Sequence, residues 1–208
     1  MTETEPSNWL RSDFIDVTGI KVLHIEVDYQ LLNCPADVGP YCKTYIGVYA
    51  FHTNNTNVQY SHPNKGMFSK EDKIQPKTLP APGNRRKYTY QGRLATQANG
   101  IYLAFLDKGA CIILSKVVIS YRVCPEKIMR SVLVRFPRTV APANYSELTE
   151  QLGECTDVNS ISTGKLLGIC LSSGEWNISD NVRCVCKAGY ELVNASDCSH
   201  NGSECEGK

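Results

Sequence analysis

The chain has 208 residues, of which 42% are hydrophobic, so it is long enough to bury a sizeable core in one or two domains. Lysine and arginine total 22 against 21 aspartate and glutamate residues, which leaves a net charge of +1. This balance gives no electrostatic support for nucleic acid or an anionic membrane surface as a partner. No segment approaches the roughly 20 apolar residues of a membrane-spanning helix, so we expect no direct membrane insertion by this chain.

The first two thirds of the sequence show the alternation of β-strands. Between residues 22 and 31 every second residue is apolar and the residues between are polar, which predicts a strand with one buried face. The more uniformly apolar runs 44–51 and 101–105 are typical of strands covered on both faces. Several strands joined by polar segments predict an all-β fold, a β-sandwich or jelly roll. In a further strand predicted over residues 111–123, one face is formed by Val117, Ile119, Tyr121 and Val123.

Two polar segments separate these strands and are predicted as loops. Residues 52–70 are rich in Asn, Ser and His, and residues 75–87 contain three prolines and a glycine. The second segment ends in the basic residues Arg85, Arg86 and Lys87. We interpret this triplet as part of a solvated loop, in preference to a binding patch for heparin or an acidic partner.

The composition changes after Cys124. Residues 125–149 lack cysteine and include Pro137 and Pro142, which is typical of a segment that links two domains. Six of the ten cysteines then lie from Cys155 onward, with few apolar runs between them. A segment this small buries too little surface to fold on hydrophobic contacts alone, so we expect cross-links to replace much of its core. These features predict a domain boundary near Cys124.

Ten cysteines are ordinary in an oxidising compartment and a liability in the reducing cytosol. A metal site would need paired C-x-x-C ligands or a Cys/His array, and the C-x-C formed by Cys184 and Cys186 is too tight for a zinc knuckle. The sequence therefore favours disulfides over a metal site, and we expect neither a metal nor a cofactor.

Five N-x-S/T sequons also indicate a secreted surface that carries N-linked glycans. Residues 1–7 read MTETEPS and contain no apolar signal region. An extracellular chain without a signal is expected to be part of a longer protein whose N-terminus lies upstream. The five sequon asparagines are Asn54, Asn144, Asn177, Asn194 and Asn201.

The sequence contains no pattern that indicates catalysis. It lacks the G-x-S-x-G, H-E-x-x-H and kinase signatures. Gly164 and Lys165 lack the first glycine and the Ser/Thr of a phosphate-binding loop, and the four histidines show no ligand spacing. We therefore interpret the chain as a binding module and not an enzyme.

Three motifs carry a family resemblance: residues 8–15 (NWLRSDFI), residues 100–111 (GIYLAFLDKGAC) and residues 121–125 (YRVCP). Together with the short loop from Cys34 to Cys42, they resemble the N-terminal ligand-binding domain of the Eph receptor tyrosine kinases. The sushi-like module that follows this domain is resembled by GEW at 174–176 together with Cys124, Cys155, Cys170 and Cys184. The CKAGY motif at 186–190 resembles the start of an EGF-like repeat.

The resemblance implies a jelly-roll, galactose-binding-like β-sandwich followed by a small disulfide-rich region. Its domains would be 1–124, the ligand-binding domain without its N-terminal strands, 125–185, the sushi-like module, and 186–208, the start of the EGF-like repeat. The implied function is ephrin binding in contact-dependent cell–cell signalling, as the extracellular part of a plasma-membrane receptor that clusters with itself. The receptor's kinase would lie outside this chain.

Two alternatives to a signalling receptor stay open. One is a carbohydrate-binding or adhesion module that uses the same jelly roll without kinase output. The other is a soluble decoy that binds ephrin without signalling.

The resemblance also implies a disulfide pattern. Cys111 and Cys205 would be unpaired in this chain, because their expected partners lie beyond its two ends. The implied bridges are Cys34–Cys42, Cys124–Cys170, Cys155–Cys184 and Cys186–Cys198.

Residues 1–7, 35–41 and 94–99 are implied to border the ephrin-binding channel. Trp9 is more typical of a core residue than of a ligand contact. Leu32 and Asn33 stand where family members often carry Arg-Asp, so a cation that pairs with an acidic ephrin residue is missing. We expect an arginine at position 32 to strengthen ephrin binding. The implied ligand-binding residues are Trp9, Leu32, Pro35, Val38, Tyr41, Ala95 and Gln97.

Overall fold

The computed structural model describes residues 6–35, 42–55, 64–193 and 196–200. The chain divides into two compact units, Met1–Tyr121 and Arg122–Lys208. Strands and two short 3₁₀ turns, Lys65–Met67 and Arg130–Val132, are the regular structure of the described residues, which confirms the all-β fold. Among the described residues, no helix has the length and apolar character needed to cross a membrane.

The first unit is a sandwich of two antiparallel sheets, as predicted. In one sheet β1 and β2 both pair with β7, which is followed by β4 and β5, and in the other the order is β6-β3-β8. The strands are β1 (Asn8–Arg11), β2 (Ile15–Asp16), β3 (Val22–Leu32), β4 (Ile46–Thr53), β5 (Ser69–Ile74), β6 (Arg85–Ala95), β7 (Gly100–Asp107) and β8 (Ile112–Ser120).

The core of this unit follows the alternation of β3. Its odd-numbered residues are buried and its even-numbered residues are partly exposed. They pack against apolar residues of the facing sheet, among them Val48 of β4 and Leu103 of β7. The buried residues of β3 are Leu23, Ile25, Val27, Tyr29 and Leu31.

Strand β7 is buried on both faces, which explains its uniformly apolar sequence. Leu103 and its alternate neighbours face the core, while Tyr102 faces the other way and contacts Phe14 and Phe51 at ring-centroid distances of 5.8 and 6.2 Å. Gly100 lets Phe14 approach, because a Cβ at this position would lie 2.1 Å from Phe14 Cε2.

The predicted strand over residues 111–123 needs correction at its C-terminal end. Strand β8 ends at Ser120, and Val123 belongs to the second unit. The register against β3 shifts by one residue between Asp28 and Tyr29, which is a β-bulge. Val117 and Ile119 share the core-facing side, but Val117 is 38% exposed because β8 is an edge strand.

The prediction of a loop over residues 75–87 is wrong at its end. Arg85, Arg86 and Lys87 are the first three residues of β6 and pair with the end of β3. The turn before them is fixed by Gly83, whose φ of +75° is easily adopted only by glycine. The proline-rich composition therefore marks the turn but not the start of the next strand.

The second unit consists of small antiparallel sheets. Its sheets contain β10-β11-β14, β12-β9, β13-β16-β17, β15-β18 and β19-β20. The strands are β9 (Val123–Cys124), β10 (Lys127–Met129), β11 (Val134–Phe136), β12 (Thr139–Val140), β13 (Thr149–Leu152), β14 (Glu154–Cys155), β15 (Ser160–Ser162), β16 (Leu167–Cys170), β17 (Trp176–Ile178), β18 (Cys184–Cys186), β19 (Tyr190–Val193) and β20 (Asp197–His200).

The prediction that residues 125–149 link two domains is wrong. These residues instead supply much of the core of the second unit. Leu133, Val134 and Phe136 are at most 2% exposed and cluster with Leu166 and Val182. The sequence did not reveal this core because its apolar residues come in runs too short to show a period. Disulfides join Cys124 to Cys170, Cys155 to Cys184 and Cys186 to Cys198 in this unit.

Phe136 packs so closely on the backbone of Gly168 that a side chain there is expected to destabilise the unit. A Cβ on Gly168 would lie 2.7 Å from Phe136 Cε1. We expect Gly168→Ala to lower the free energy of unfolding by about 1–3 kcal/mol through overpacking, measured by urea denaturation with the disulfides intact. Gly164→Ala is the matched control, since no atom lies within 4 Å of its added Cβ. Equal urea midpoints for the two variants would contradict this packing.

Candidate functional site: the loop ends of the sandwich

The end of the sandwich at which β3 finishes is called here the Cys34 end and comprises Leu32–Pro35, Cys42–Lys43, Ala81–Arg85 and Asp107–Cys111. A disulfide joins Cys34 to Cys42, eight residues apart in sequence, and Pro35 is exposed. The backbone N–H of Leu32 donates to the carbonyl of Cys111 over 3.0 Å. This bond connects the end of β3, two residues before Cys34, to the turn that follows β7.

Asn33 joins the cysteine loop to the turn before β6. Its N–H donates to Asn84 O, and its carbonyl accepts from Gly83 N–H, each over 3.0 Å. The Asn33 side chain also donates from Nδ2 to Pro80 O over 2.7 Å. Asn33 therefore stabilises both the segment that leads to Cys34 and the turn before β6. The sequence identifies Asn33 only as a departure from the Arg-Asp pattern.

Asp107 organises the turn after β7. Its Oδ1 accepts hydrogen bonds from the backbone N–H groups of Gly109 and Ala110, over 2.9 and 2.6 Å, as in an Asx-turn. Its Oδ2 accepts from Asn8 Nδ2 over 3.3 Å, which ties β1 to the same turn. The Asp-x-Gly sequence is the signal that predicts such a turn.

A basic side chain lies beside Leu32 at this end. Leu32 pairs directly with Arg85 across β3 and β6, so the two side chains share the solvent-facing side of the sheet. Arg85 is exposed, and no ion pair involves it within the described part of the chain. Lys87 lies two residues further along the same face, opposite Gln30. The solvent-facing side of the sheet therefore carries two cations, Arg85 and Lys87, close to position 32, although that position is leucine.

Ala95 and Gln97 lie at the opposite end of the same sheet. Ala95 pairs with Val22, ten residues before Leu32 on β3, which corresponds to about 33 Å along an extended strand. Both residues are exposed, and Gln97 N–H donates to His52 Nδ1 over 3.3 Å. The structure thus does not bring Leu32 and Pro35 together with Ala95 and Gln97 in one pocket.

Trp9 packs on the outer side of the five-stranded sheet rather than in a loop. Its ring lies 5.0 Å from that of Tyr49 and 5.8 Å from that of Phe68, measured between centroids. It is half-buried, and its Nε1 donates to Ser7 Oγ over 3.3 Å. These contacts make Trp9 part of an aromatic cluster that covers the sheet.

We expect Trp9→Ala to lower the free energy of unfolding of the first unit by about 2 kcal/mol, less than for a fully buried aromatic residue. Trp9→Phe should retain most of the contact with Tyr49. Leu10→Ala is the control, because the adjacent Leu10 is 56% exposed and should contribute much less. Thermal unfolding measures all three. Unchanged stability of Trp9→Ala together with weaker ligand binding would instead identify Trp9 as a ligand contact.

The sequence did not indicate a groove that lies along β6. It has a volume of about 560 Å³ and is bordered by residues 75–78, with Tyr88 and Tyr90 on its wall. Tyr90 donates a hydrogen bond to the Asp72 carboxylate. The pKa of Tyr90 is raised mainly by burial, and further by this hydrogen bond and by the charge of the carboxylate. The Tyr90 phenol is therefore neutral at physiological pH, and Lys77 and Arg86 supply the positive charge of the groove.

Three sequon asparagines lie on the surface. Asn54, Asn144 and Asn177 are all exposed. Asn54 Oδ1 accepts from Asn99 N–H over 3.0 Å, and Asn144 Oδ1 accepts from the N–H groups of Ser146 and Glu147. Asn194 and Asn201 lie outside the described residues.

The remaining predicted residues are placed as follows. Cys111 is exposed, and its thiol is free among the described residues. Within the same described ranges, no three His, Cys, Asp or Glu side chains come together as a metal site would require. Val38, Tyr41 and Cys205 lie outside the described residues.

Comparison with known proteins identifies two families along the chain. Residues 1–124 match the family described as "Ephrin receptor ligand binding domain", and residues 127–186 match "Ephrin cysteine rich domain". Neither is a catalytic domain.

Curated relatives match nearly the whole chain. Ephrin type-A receptor 4-B of Xenopus laevis is 29% identical over 96% of this chain, and Ephrin type-A receptor 5 of Homo sapiens is 31% identical over 93%. Ephrin type-B receptor 4b of Danio rerio is 28% identical over 94%. The chain covers 20%, 19% and 20% of these three proteins, and so spans about a fifth of their length.

The family match and the disulfides both indicate an extracellular location. Four disulfides among the described residues are typical of an oxidising environment. The matched receptor domains give the same extracellular location. The chain belongs to the Eph receptor family, of which it holds the ligand-binding domain and the cysteine-rich domain.

Proposed function

We propose that this chain binds an ephrin on an adjacent cell as the recognition part of a receptor tyrosine kinase. The observation that carries the proposal is the match of residues 1–124 to the ephrin receptor ligand-binding domain. The names of the curated relatives, Ephrin type-A and type-B receptors, support it. In this chain the chemistry is recognition by shape and a few polar anchors.

The proposed ephrin contact is the Cys34 end, with Leu32, Pro35, and Val38 and Tyr41, which lie between the two bonded cysteines in sequence. Two features of this end support it: the disulfide that restricts the cysteine loop, and the hydrogen bonds of Asn33 that fix the neighbouring turn. A restrained loop loses less conformational entropy on binding. Ala95 and Gln97 belong to the proposed surface only if the ephrin extends along the sheet by about 33 Å.

The finer organisation of the receptor is proposed on the same basis. Residues 1–124 form the ligand-binding domain, 125–185 the sushi-like module, and 186–208 the start of the EGF-like repeat. The parent protein is anchored in the plasma membrane, and receptors self-cluster when ephrins are presented on a contacting cell. Each of the two small modules contains its own disulfide, Cys155–Cys184 in the first and Cys186–Cys198 in the second, although their described residues share one hydrophobic core.

The test is the binding of the ectodomain, produced in glycosylating cells, to a panel of ephrins from the same source by surface plasmon resonance. We expect saturable binding of at least one ephrin, with an affinity that falls as salt rises because cations lie at the Cys34 end. The reduced, unfolded protein is the control for non-specific adsorption. A folded, glycosylated ectodomain that binds none of the ephrins would overturn the proposal.

A further inference from the structure

The three-stranded sheet β13-β16-β17 of the second unit has one face toward the core and one toward solvent. The inner face is identified by Gly168 and Cys170, which are buried, and by the close approach of Phe136 to Gly168. Trp176 and Ile178 of β17 pair with these two inner residues and pack against the same core. Side chains of alternate residues on these strands therefore point outward.

The outer face is unusually apolar for a solvent-exposed surface. Leu167 and Ile169 of β16 lie on it, and their cross-strand partners on β13 are Leu152 and Glu150. Leu152 is 56% exposed, and Leu148, the residue just before β13, is 62% exposed. A contiguous apolar patch on a secreted protein marks a surface that something covers. The patch Leu152, Leu167 and Ile169 is called here the outer apolar face.

Asn177 is positioned to provide that cover. It pairs directly with Ile169, so its side chain shares the outer face, and it is exposed. Asn177, Ile178 and Ser179 form a sequon, and glycosylation of the asparagine amide would start a glycan immediately beside Ile169. β17 is also an edge strand of its sheet. The backbone N–H and C=O groups along an edge can pair with a strand of another chain unless they are covered.

We propose that an N-linked glycan on Asn177 covers the outer apolar face and protects the edge of β17. A glycan suits this surface because each sugar ring has C–H groups that pack on leucine and isoleucine and hydroxyl groups that remain in water. The carboxylate of Glu150, opposite Ile169, accepts hydrogen bonds from such hydroxyls.

Asn144 differs from Asn177 although it belongs to the same unit. It lies in an exposed turn, where its Oδ1 accepts hydrogen bonds from Ser146 and Glu147, and not on the face of a sheet. Asn144 belongs to no strand of the described sheets, so the loss of its glycan should have less effect on the outer apolar face. Asn144 is therefore the control for the general solubilising effect of a glycan.

The experiment compares variants of the full chain secreted from glycosylating cells. Glycopeptide mass spectrometry measures occupancy at Asn177, and fluorescence of an apolar dye such as anilinonaphthalene sulfonate measures exposed apolar surface. Asn177→Gln and Ser179→Ala both remove the sequon and should raise dye fluorescence at least threefold. Ser179→Thr keeps the sequon and should behave as the unmodified chain, and Asn144→Gln should raise fluorescence far less.

A second variant separates exposure of the patch from misfolding. In Asn177→Gln, adding Leu152→Ser and Ile169→Ser should return dye binding to the level of the glycosylated chain, since the apolar face itself is then removed. Non-reducing peptide mapping checks that the disulfides of the unit are intact in each variant. An unoccupied Asn177, or unchanged dye binding when its glycan is absent from a protein with intact disulfides, overturns the proposal.

Discussion

Replacing Cys124 and Cys170 together with alanine is expected to lower the free energy of unfolding of the second unit by about 4 kcal/mol. The bridge closes a segment of 46 residues, the longest of the four, and releasing it restores the most conformational entropy to the unfolded chain. Both cysteines are 0% exposed, so the loss of packed sulfur adds to the effect. Since small domains are held by only a few kcal/mol, we expect much of the second unit to be unfolded at 37 °C.

The measurement is urea denaturation of the secreted variant, with hydrogen exchange read separately for residues 1–121 and 122–208. Exchange protection should fall in the second unit and remain in β3 and β7. The matched control replaces Cys34 and Cys42, which are eight residues apart and should cost about 2.5 kcal/mol, confined to the first unit. Equal losses of protection in both units for either double variant would contradict this assignment of the bridges.

The parts of the fold that follow from local patterns could be predicted from the sequence. The odd-numbered residues of β3 are buried because a strand has a period of two, and the period is visible in the sequence itself. The apolar run 101–106 of β7 is buried on both faces, as the lack of polar residues in that run predicts. One family motif, residues 100–111, includes β7, whereas residues 8–15 include β1 and residues 121–125 include β9.

What depends on long-range pairing could not be predicted. The position of Arg85 beside Leu32 is a matter of register between two strands separated by more than fifty residues, and no local pattern fixes it. No local pattern fixes the bulge opposite Asp28 and Tyr29 or the position of Phe136 in the core either. The separation of Leu32 from Ala95 likewise follows only from the antiparallel course of β6 along β3.

If the ephrin binds at the Cys34 end, reversing the charge of Arg85 should weaken that binding at least tenfold, or about 1.4 kcal/mol. Arg85 provides a cation next to Leu32, where a cation was expected to be missing, and a charge-assisted hydrogen bond to an acidic ephrin residue contributes about this much. Surface plasmon resonance of Arg85→Glu measures the loss. Arg93→Glu is the matched control, an exposed arginine on the same face of β6, eight residues further along the strand.

The register also refines the expectation for position 32. Leu32→Arg alone places two guanidinium groups on directly opposed residues, whose repulsion offsets part of the gain in affinity. Exchanging the pair, as Leu32→Arg with Arg85→Leu, moves the cation across the sheet by about 5 Å without changing its number. This double variant should bind ephrin within threefold of the unmodified chain, whereas Arg85→Leu alone should bind about tenfold more weakly. If Arg93→Glu weakens binding and Arg85→Glu does not, the ephrin docks at the end of Ala95 and Gln97, and the Cys34 end serves only to close the sandwich.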